Sequence, residues 1–321
     1  MTNIRFFYHE CDWIGKPKDD QKFNNDIDIY SMNMPLIPSI EHDLAEKIGI
    51  KNYTLSAIGS EGLTLDQTKI NVYVDTNEPD WYSPYPEDVL LEKAHFFDAI
   101  LTRRPKLLGL PNSTLFLYGT HWVPNYESVH NIKQDSVSYT MTGKTISRKR
   151  HDDLKRFDVK PPDGYYLRHI VGKRFQDLCE VCKLPLRGYD SSNSPSLHPG
   201  LAYTLSPDHD GKLELMKSKF HIAIENTALP NYMTEKLHDC FLTKTVPIYY
   251  GCPTVSDFYN MDGILTFNQP SELVEILSNL TPETYDKMSD AIEDNYQRFV
   301  ASDAPFRDRF YDAVLEVLNR K

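Results

Sequence analysis

Two neighbouring groups of polar residues have the types and spacing that bind an anionic ligand. Glu225 and Asn226 follow residues 220–224, whose β-branched and apolar types predict a buried strand. The second group opens the next predicted helix and consists of Tyr232, Thr234, Glu235 and Lys236. The amino end of a helix attracts anions, and a lysine there adds a mobile positive charge. The pattern therefore predicts a site for an anionic ligand.

A strand–loop–helix–strand unit is predicted to position these side chains. The helix is predicted over residues 232–242, with Asn231 as its N-cap, and the second strand over residues 246–250. One buried helix face recurs at the i, i+4, i+8 spacing and consists of Met233, Leu237 and Phe241. In parallel α/β sheets ligands bind past the strand ends and at helix N-termini, which is where the polar residues fall.

Two domains are predicted from the length and from the alternation of elements. At 321 residues the chain exceeds one typical domain. Strand and helix patterns alternate on both sides of a polar, non-periodic stretch at residues 125–135. The predicted domains are two α/β units at residues 1–130 and 136–300, with a terminal helical segment at 301–321 that returns to the first domain. The longer helices are predicted over residues 165–182, 212–219, 270–280, 282–299 and 305–318.

Composition and charge exclude several classes of protein. A formal net charge of −11 disfavours a general nucleic-acid-binding role, because phosphate contacts need a basic surface, and leaves room only for a locally basic cleft. No apolar run in the sequence is long enough to span a membrane. Five cysteines do not suggest a disulfide framework, and the pair Cys179 and Cys182 lacks the further ligands of a zinc knuckle. A cytoplasmic protein with packing cysteines is predicted.

The polar groups and their flanking strands resemble the signature of the α-1,3-fucosyltransferase family. The resemblance rests on three segments in order, F-H-I-A-I-E-N-T, Y-M-T-E-K and V-P-I-Y-Y-G. It is strong over residues 215–260, traceable over 70–200 and faint before 70. Animal members of the family carry a Golgi membrane anchor. Since no membrane span is predicted in this sequence, it is more similar to the soluble bacterial or viral forms. The resemblance implies the GT-B fold, in which two Rossmann-like doubly wound domains face each other across a cleft.

The resemblance also implies a donor, GDP-fucose, and a way to hold it. A departing diphosphate needs fixed positive charge, and the family supplies it with an arginine and a lysine that match Arg168 and Lys236 here. Asp208-His209-Asp210 is a literal D-x-D and leaves open the alternative of a bound divalent metal. The GT-B resemblance favours a transferase without metal or other cofactor.

The remaining donor-side residues follow from the same match. Glu235 is expected to accept hydrogen bonds from sugar or ribose hydroxyls, with Asn226, Tyr232 and Thr234 in the same pocket. Glu225 either bonds the ligand or braces the loop by accepting backbone N–H groups. Lys144 is expected to add positive potential, as is Arg148.

A catalytic base is expected from the N-terminal domain, because the acceptor hydroxyl must lose its proton. The family places a glutamate just after a strand and before a proline, which matches Glu78 after the strand predicted over residues 70–74. Asp75 is the alternative base. The aromatic residues Trp81, His121 and Trp122 either line the acceptor or pack within the domains.

The predicted activity is inverting, metal-independent transfer of fucose from GDP-fucose to a glycan hydroxyl, with an α-1,3-type linkage. Two alternatives stay open. One is a GT-B transferase that uses another nucleotide sugar, because the segment 191–204 departs from better-known members. The other is a non-catalytic nucleotide- or glycan-binding protein.

Overall fold

The computed structural model of this chain describes residues 4–6, 27–30, 65, 67–74, 87–117, 119–141, 163–190, 198, 200–202, 209–303 and 306–320. The chain divides into two compact units, the first of residues 1–118, 149–161 and 304–321, the second of residues 119–148 and 162–303. Each unit contains a parallel β-sheet with helices, so the predicted α/β class is confirmed. Residues 119–130 pack in the second unit, whereas the sequence analysis assigned them to the first domain.

The first unit is built on a sheet whose strands follow chain order. Its strands are β1 (Ile4–Phe6), β2 (Ile27–Tyr30), β3 (Ile70–Val74), β4 (Ala99–Thr102) and β5 (Ser113–Leu115). All four neighbouring pairs are parallel. Helix α1 (Glu87–Lys93) joins β3 to β4, and the last helix of the chain, α9 (Phe306–Leu318), also belongs to this unit.

Both faces of the first sheet are covered, which explains its continuous apolar strands. Val72 and Val74 of β3 pack in the same buried cluster as the side chains of α9, which are Phe310, Tyr311, Val314 and Val317. The intervening Tyr73 points to the opposite cluster, with Leu90 of α1 and Phe97. Because side chains alternate along β3, one face of the strand packs against α9 and the other against α1.

The second unit has a five-stranded sheet in the order β10-β9-β8-β6-β7. Its strands are β6 (Gln134–Met141), β7 (Leu186–Asp190), β8 (Ser218–Ile224), β9 (Val246–Tyr250) and β10 (Leu265–Thr266). All neighbours are parallel. The chain goes from β6 to β7 on one side and then returns to β8 on the other, so the strand order reverses between β6 and β8. Ligands of open α/β sheets bind at such a reversal, beyond the carboxyl ends of the strands.

Seven helices of the second unit are described. They are α2 (Asp163–Lys173), α3 (Phe175–Val181), α4 (His209–Leu215), α5 (Glu235–Leu242), α6 (Pro270–Asn279), α7 (Pro282–Lys287) and α8 (Ser289–Ser302). The single helix predicted over 165–182 is wrong, because the chain breaks at Arg174 between α2 and α3. The helix predicted over 282–299 is likewise two helices, α7 and α8. Leu167, Val171, Phe175 and Leu178 bury in one core cluster across the first break, so their periodicity hides it.

No helix in the described ranges combines the length and the apolar content that crossing a bilayer requires.

Candidate active site

The dipeptide Glu225-Asn226 lies directly past the carboxyl end of β8, beside the point where the strand order reverses. Both residues are buried, Glu225 completely. The Glu225 backbone N–H still donates to the carbonyl of Tyr250, at 2.9 Å, so the dipeptide is held in line with the neighbouring strand. Two buried polar side chains at this position must be matched by partners, since unpaired buried polar groups are costly.

The Glu225 side chain braces the amino end of α5. Its Oε1 accepts the backbone N–H of Thr234 at 2.8 Å, and its Oε2 accepts the Thr234 hydroxyl at 2.6 Å. Thr234 is the N-cap of α5, and its own Oγ1 accepts the backbone N–H of Lys236 at 3.4 Å. Of the two alternatives for Glu225, the described contacts are those of the brace.

The helix therefore begins at Glu235, and the predicted start at residue 232 with Asn231 as N-cap is wrong. Asn231 has a left-handed φ of 59° and exchanges hydrogen bonds with Thr254, at 3.0 Å each. Tyr232 then turns into the core and is only 1% exposed. The i, i+4, i+8 spacing correctly predicted burial, because Met233, Leu237 and Phe241 are all buried. It did not predict the helix start, because Met233 precedes the N-cap Thr234.

Lys236 lies between two carboxylates. Its Nζ is 3.0 Å from Glu235 Oε1 and 3.7 Å from Glu225 Oε2, and it donates to Thr234 Oγ1 at 3.1 Å. Burial acts to raise the pKa of Glu235, but the charges of Lys236 and Lys212, with hydrogen bonds from Lys236 and Thr234, lower it to about 2. Glu235 is therefore ionised at neutral pH, ready to accept hydrogen bonds from hydroxyl groups.

Burial raises the pKa of Glu225, against the lowering effect of the nearby Lys236 charge. The burial is enforced by two close backbone approaches. A Cβ on Gly164, in the first turn of α2, would collide with the Glu225 carbonyl oxygen. A Cβ on Gly251, just after β9, would stand 2.6 Å from Glu225 Cγ. Glycine at both places lets α2 and β9 close around the carboxylate.

Asn226 holds the second cation. Its Oδ1 accepts a short hydrogen bond from Arg168 Nη2, and Arg168 Nε donates to the carbonyl of Gly164 at 3.4 Å. The Arg168 guanidinium stacks over the Tyr165 ring, 4.5 Å from its centroid. Nη1 of Arg168 takes part in neither bond. Two adjacent residues past β8 thus tie Arg168 on α2 and, through Thr234, Lys236 on α5.

Sequence reasoning missed a second ion pair on α5. Lys212 Nζ lies 2.5 Å from Asp239 Oδ2, and Asp239 Oδ1 accepts the backbone N–H groups of Trp122 at 2.7 Å and Val123 at 3.3 Å. Burial acts to lower the pKa of Lys212, but Asp239 and Glu235 outweigh it and raise the pKa. The available signal was a second acidic residue on α5, at the i+4 position from Glu235 and so on the same side of the helix.

A row of titratable side chains was also missed. Oδ2 of buried Asp190, the last residue of β7, lies 2.7 Å from His198 Nδ1, and His198 Nε2 lies 2.9 Å from His169 Nδ1. His198 is fully buried, and a Cβ on Gly172 would lie 2.7 Å from its imidazole ring. His198 therefore packs directly against α2. Nothing in the local sequence brings these three residues together.

Several predicted residues lie outside the described residues. They are the base candidates Glu78 and Asp75, the aromatic Trp81, the cations Lys144 and Arg148, and Asp208 of the D-x-D. Among the side chains that the structure describes, no group of three or more His, Cys, Asp or Glu residues is arranged to hold a metal ion. Cys179 and Cys182 are free thiols, the first exposed and the second half-buried, and burial raises the pKa of both.

Chemically, the described site combines two cations, a helix N-terminus and a strongly acidic carboxylate. Residues 200–289 match the sequence profile described as "Glycosyltransferase family 10 (fucosyltransferase) C-term". Residues 200–289 therefore resemble the C-terminal domain of glycosyltransferase family 10. The family 10 match includes Glu225, Asn226 and all of α5, so the family resemblance of the three motifs is confirmed.

Relatives of the family 10 domain have fucosyltransferase names. "Alpha-(1,3)-fucosyltransferase B" of Drosophila melanogaster is 43% identical over 187 residues, covering 51% of this chain and 41% of that protein. "GDP-fucose protein O-fucosyltransferase 3" of Homo sapiens is 33% identical over 215 residues, covering 61% of this chain and 43% of that protein. The chain thus spans less than half of these curated relatives. A crystal structure of an α1,3-fucosyltransferase with GDP-fucose aligns with a TM-score of 0.45 at 16% identity, over 78% of this chain and 76% of that one.

Proposed function

We propose that this chain is an inverting fucosyltransferase that moves fucose from GDP-fucose to an acceptor hydroxyl without a metal ion. One observation carries the proposal: the dipeptide Glu225-Asn226, which lies within the family 10 match, is hydrogen-bonded both to Arg168 and to the amino end of α5, where Lys236 lies. Two positive charges and a helix N-terminus are what a departing diphosphate requires. The GDP-fucose in the name of the human relative, GDP-fucose protein O-fucosyltransferase 3, is consistent with this donor.

Donor binding would rearrange the contacts of Lys236. In the ligand-free arrangement its ammonium faces two carboxylates, which offsets its charge. A diphosphate oxygen would replace Glu235 as its partner, and Glu235 would then accept hydrogen bonds from sugar or ribose hydroxyls. Arg168 would use Nη1 toward the same phosphates, while Asn226 keeps its guanidinium oriented. Lys144 would add positive potential, whereas Glu225, Thr234 and Tyr232 support the site from beneath.

The acceptor hydroxyl would be deprotonated by Glu78, with Asp75 as the alternative base. The oxygen then attacks the anomeric carbon in line as the bond to GDP breaks, which inverts a β-linked donor into an α-linked product. The finer fold assignment, GT-B, belongs to this proposal, with donor residues in residues 136–300 and acceptor residues in residues 1–130. A Glu78→Gln variant that loses transfer but still binds GDP would identify this base; unchanged transfer would shift the role to Asp75.

The proposed acceptor is a glycan hydroxyl, and the transfer would form an α-1,3-type linkage. The relative named as a GDP-fucose protein O-fucosyltransferase favours a second candidate, transfer to a Ser or Thr hydroxyl of a protein. Parallel assays with N-acetyllactosamine and with a Ser/Thr-containing folded acceptor protein separate the two, because only the true class stimulates GDP release.

Calorimetry with GDP, UDP, GDP-mannose and GDP-fucose tests the donor. We expect binding of GDP and GDP-fucose, weaker binding of GDP-mannose and none of UDP. Equal affinity for both GDP-sugars would favour the alternative of another activated sugar. Binding of every nucleotide without any transfer would favour a non-catalytic binding protein.

A further inference from the structure

We propose that Trp122 is a stacking platform for the apolar face of an acceptor pyranose ring. The proposal rests on the proposed sugar transfer and deepens it. It places an acceptor contact in the second unit, on the segment that packs along the helix carrying Glu235 and Lys236.

The backbone on both sides of Trp122 is anchored to α5. The N–H groups of Trp122 and Val123 both donate to the buried carboxylate of Asp239, at 2.7 and 3.3 Å. The Thr120 carbonyl lies 3.2 Å from His238 Nδ1 on the same helix. Val123 is fully buried. A short segment fixed at consecutive residues presents its outward side chain with little loss of conformational entropy on binding.

Trp122 is the exposed residue of the segment 119–124. The residue is 52% exposed, the largest value among the exposed large apolar residues that the structure describes. Its neighbour His121, in contrast, pairs with Asp303 at 3.2 Å and packs edge-on against Phe299. Of these two aromatic candidates for an acceptor wall, Trp122 is therefore the more exposed.

The surroundings of the ring suit a carbohydrate. Lys212 Nζ lies 5.5 Å from the Trp122 ring centroid and is fixed at 2.5 Å from Asp239. An ammonium has several N–H donors, so Lys212, which lies over one face of the Trp122 ring, can also donate to a sugar hydroxyl. Asp239 is four residues after Glu235, which corresponds to about 6 Å along the helix axis. The platform is thus anchored one helical turn from the proposed donor carboxylate.

A pyranose ring has one face of C–H groups and a rim of hydroxyls. An aromatic ring beside a hydrogen-bond donor matches both parts, because the C–H face packs on the ring and the rim meets the polar group. The same chemistry exists on the donor hexose and on the acceptor sugar, so the test must separate the two.

The test compares Trp122→Ala and Trp122→Phe with a matched control, Ile132→Ala, which removes another half-exposed apolar side chain of the same unit. We expect Trp122→Ala to raise KM for N-acetyllactosamine by about tenfold or more, and Trp122→Phe by less, since stacking worth about 1.4 kcal/mol is tenfold in affinity. The KM for GDP-fucose and the acceptor-independent GDP release stay within about twofold. Ile132→Ala changes neither constant. A raised donor KM with an unchanged acceptor KM, or no change at all, overturns the proposal.

A second measurement is independent of turnover. Titrating the wild-type protein with N-acetyllactosamine is expected to quench tryptophan fluorescence, and Trp122→Phe, which keeps Trp13 and Trp81, is expected to lose the quenching. Quenching without any transfer keeps the platform and overturns only the proposed transferase. Quenching by the protein acceptor alone, or equal quenching in Trp122→Phe, overturns the platform.

Discussion

Lys236 already has several protein partners in the ligand-free structure. Its ammonium contacts Glu235, Glu225 and the Thr234 hydroxyl within 3.7 Å. The arrangement keeps the cation ordered without burying it alone, which would be costly. It also explains how Glu235, buried beside a second carboxylate, stays ionised with a pKa of about 2.

Replacing Lys236 with alanine is the direct test of this residue. A charge-assisted hydrogen bond is worth about 1.5–3 kcal/mol, so kcat/KM for GDP-fucose should fall by about 10- to 100-fold. The donor KM should rise and turnover should fall in steady-state assays of GDP release. Lys219→Ala, which removes a lysine paired at 2.8 Å with Asp135, is the control and should stay near wild type. A fully active Lys236→Ala enzyme would remove this residue from the mechanism.

The burial of His221 predicts how the stability of the protein depends on pH. Burial and the nearby Lys212 charge lower its pKa from 6.5 to about 3, and its Nδ1 lies 2.8 Å from the Ser138 hydroxyl. At a pH between 6.5 and about 3, His221 is protonated in the unfolded chain but not in the folded chain. The contribution of His221 to the free energy of unfolding therefore falls as the pH falls, by about 1.4 kcal/mol per pH unit at most.

His221→Gln keeps a polar partner for Ser138 but does not titrate. Urea unfolding at about pH 6 and pH 4 should therefore show a shallower loss of stability in the variant than in the wild type. Equal slopes would mean that His221 does not resist protonation in the folded chain.

At the scale of elements, the approach of α2 to the end of β8 depends on Gly164. Its N–H donates to the Asn226 carbonyl at 3.1 Å, and a Cβ would collide with the Glu225 carbonyl. Gly164→Ala should separate the two elements, lower the melting temperature and weaken GDP binding in calorimetry. Gly109→Ala is the matched control, because a Cβ there meets no atom within 4 Å. Equal effects of the two substitutions would contradict the proposed tight approach.

Element bounds were predictable where local patterns decide them. The strands over residues 70–74 and 246–250 were predicted with their observed bounds, because each apolar run is limited by polar residues or glycine. The start of α5 was not predictable in this way. Its N-cap Thr234 is selected by Glu225, nine residues earlier, and Asn231 is an equally good cap by type.

The sequence predicted some of the contacts among the candidate residues but not the others. Motif order pointed to Arg168, Asn226, Glu235 and Lys236, and the structure brings Arg168 to Asn226 and Lys236 to Glu235. The ion pair of Lys212 with Asp239 and the row from Asp190 through His198 to His169 join residues that are distant in the chain. Such contacts arise from topology, and no local spacing encodes them.

At the scale of the whole molecule, the first unit is completed by the end of the chain. Phe310, Tyr311, Val314 and Val317 of α9 are buried in the cluster that also holds Val72 and Val74. The polar stretch at residues 125–135 suggested a linker from composition alone, yet Val129 is buried and the second unit begins at Gly119.

Phe310→Ala should therefore destabilise the first unit by about 3–5 kcal/mol, as for other large buried aromatic residues. GDP affinity, measured by calorimetry below the unfolding temperature, should stay near wild type, because the proposed phosphate contacts belong to the second unit. A parallel loss of GDP affinity would show that the donor site depends on the first unit.

The central claim is metal-independent fucose transfer, and the most direct measurement is GDP release from GDP-fucose by the purified protein in EDTA. The assay is run without acceptor, with N-acetyllactosamine and with a protein acceptor. We predict release that one acceptor class stimulates and that EDTA does not diminish. Release abolished by EDTA, or absent with every acceptor although GDP binds, would contradict the account.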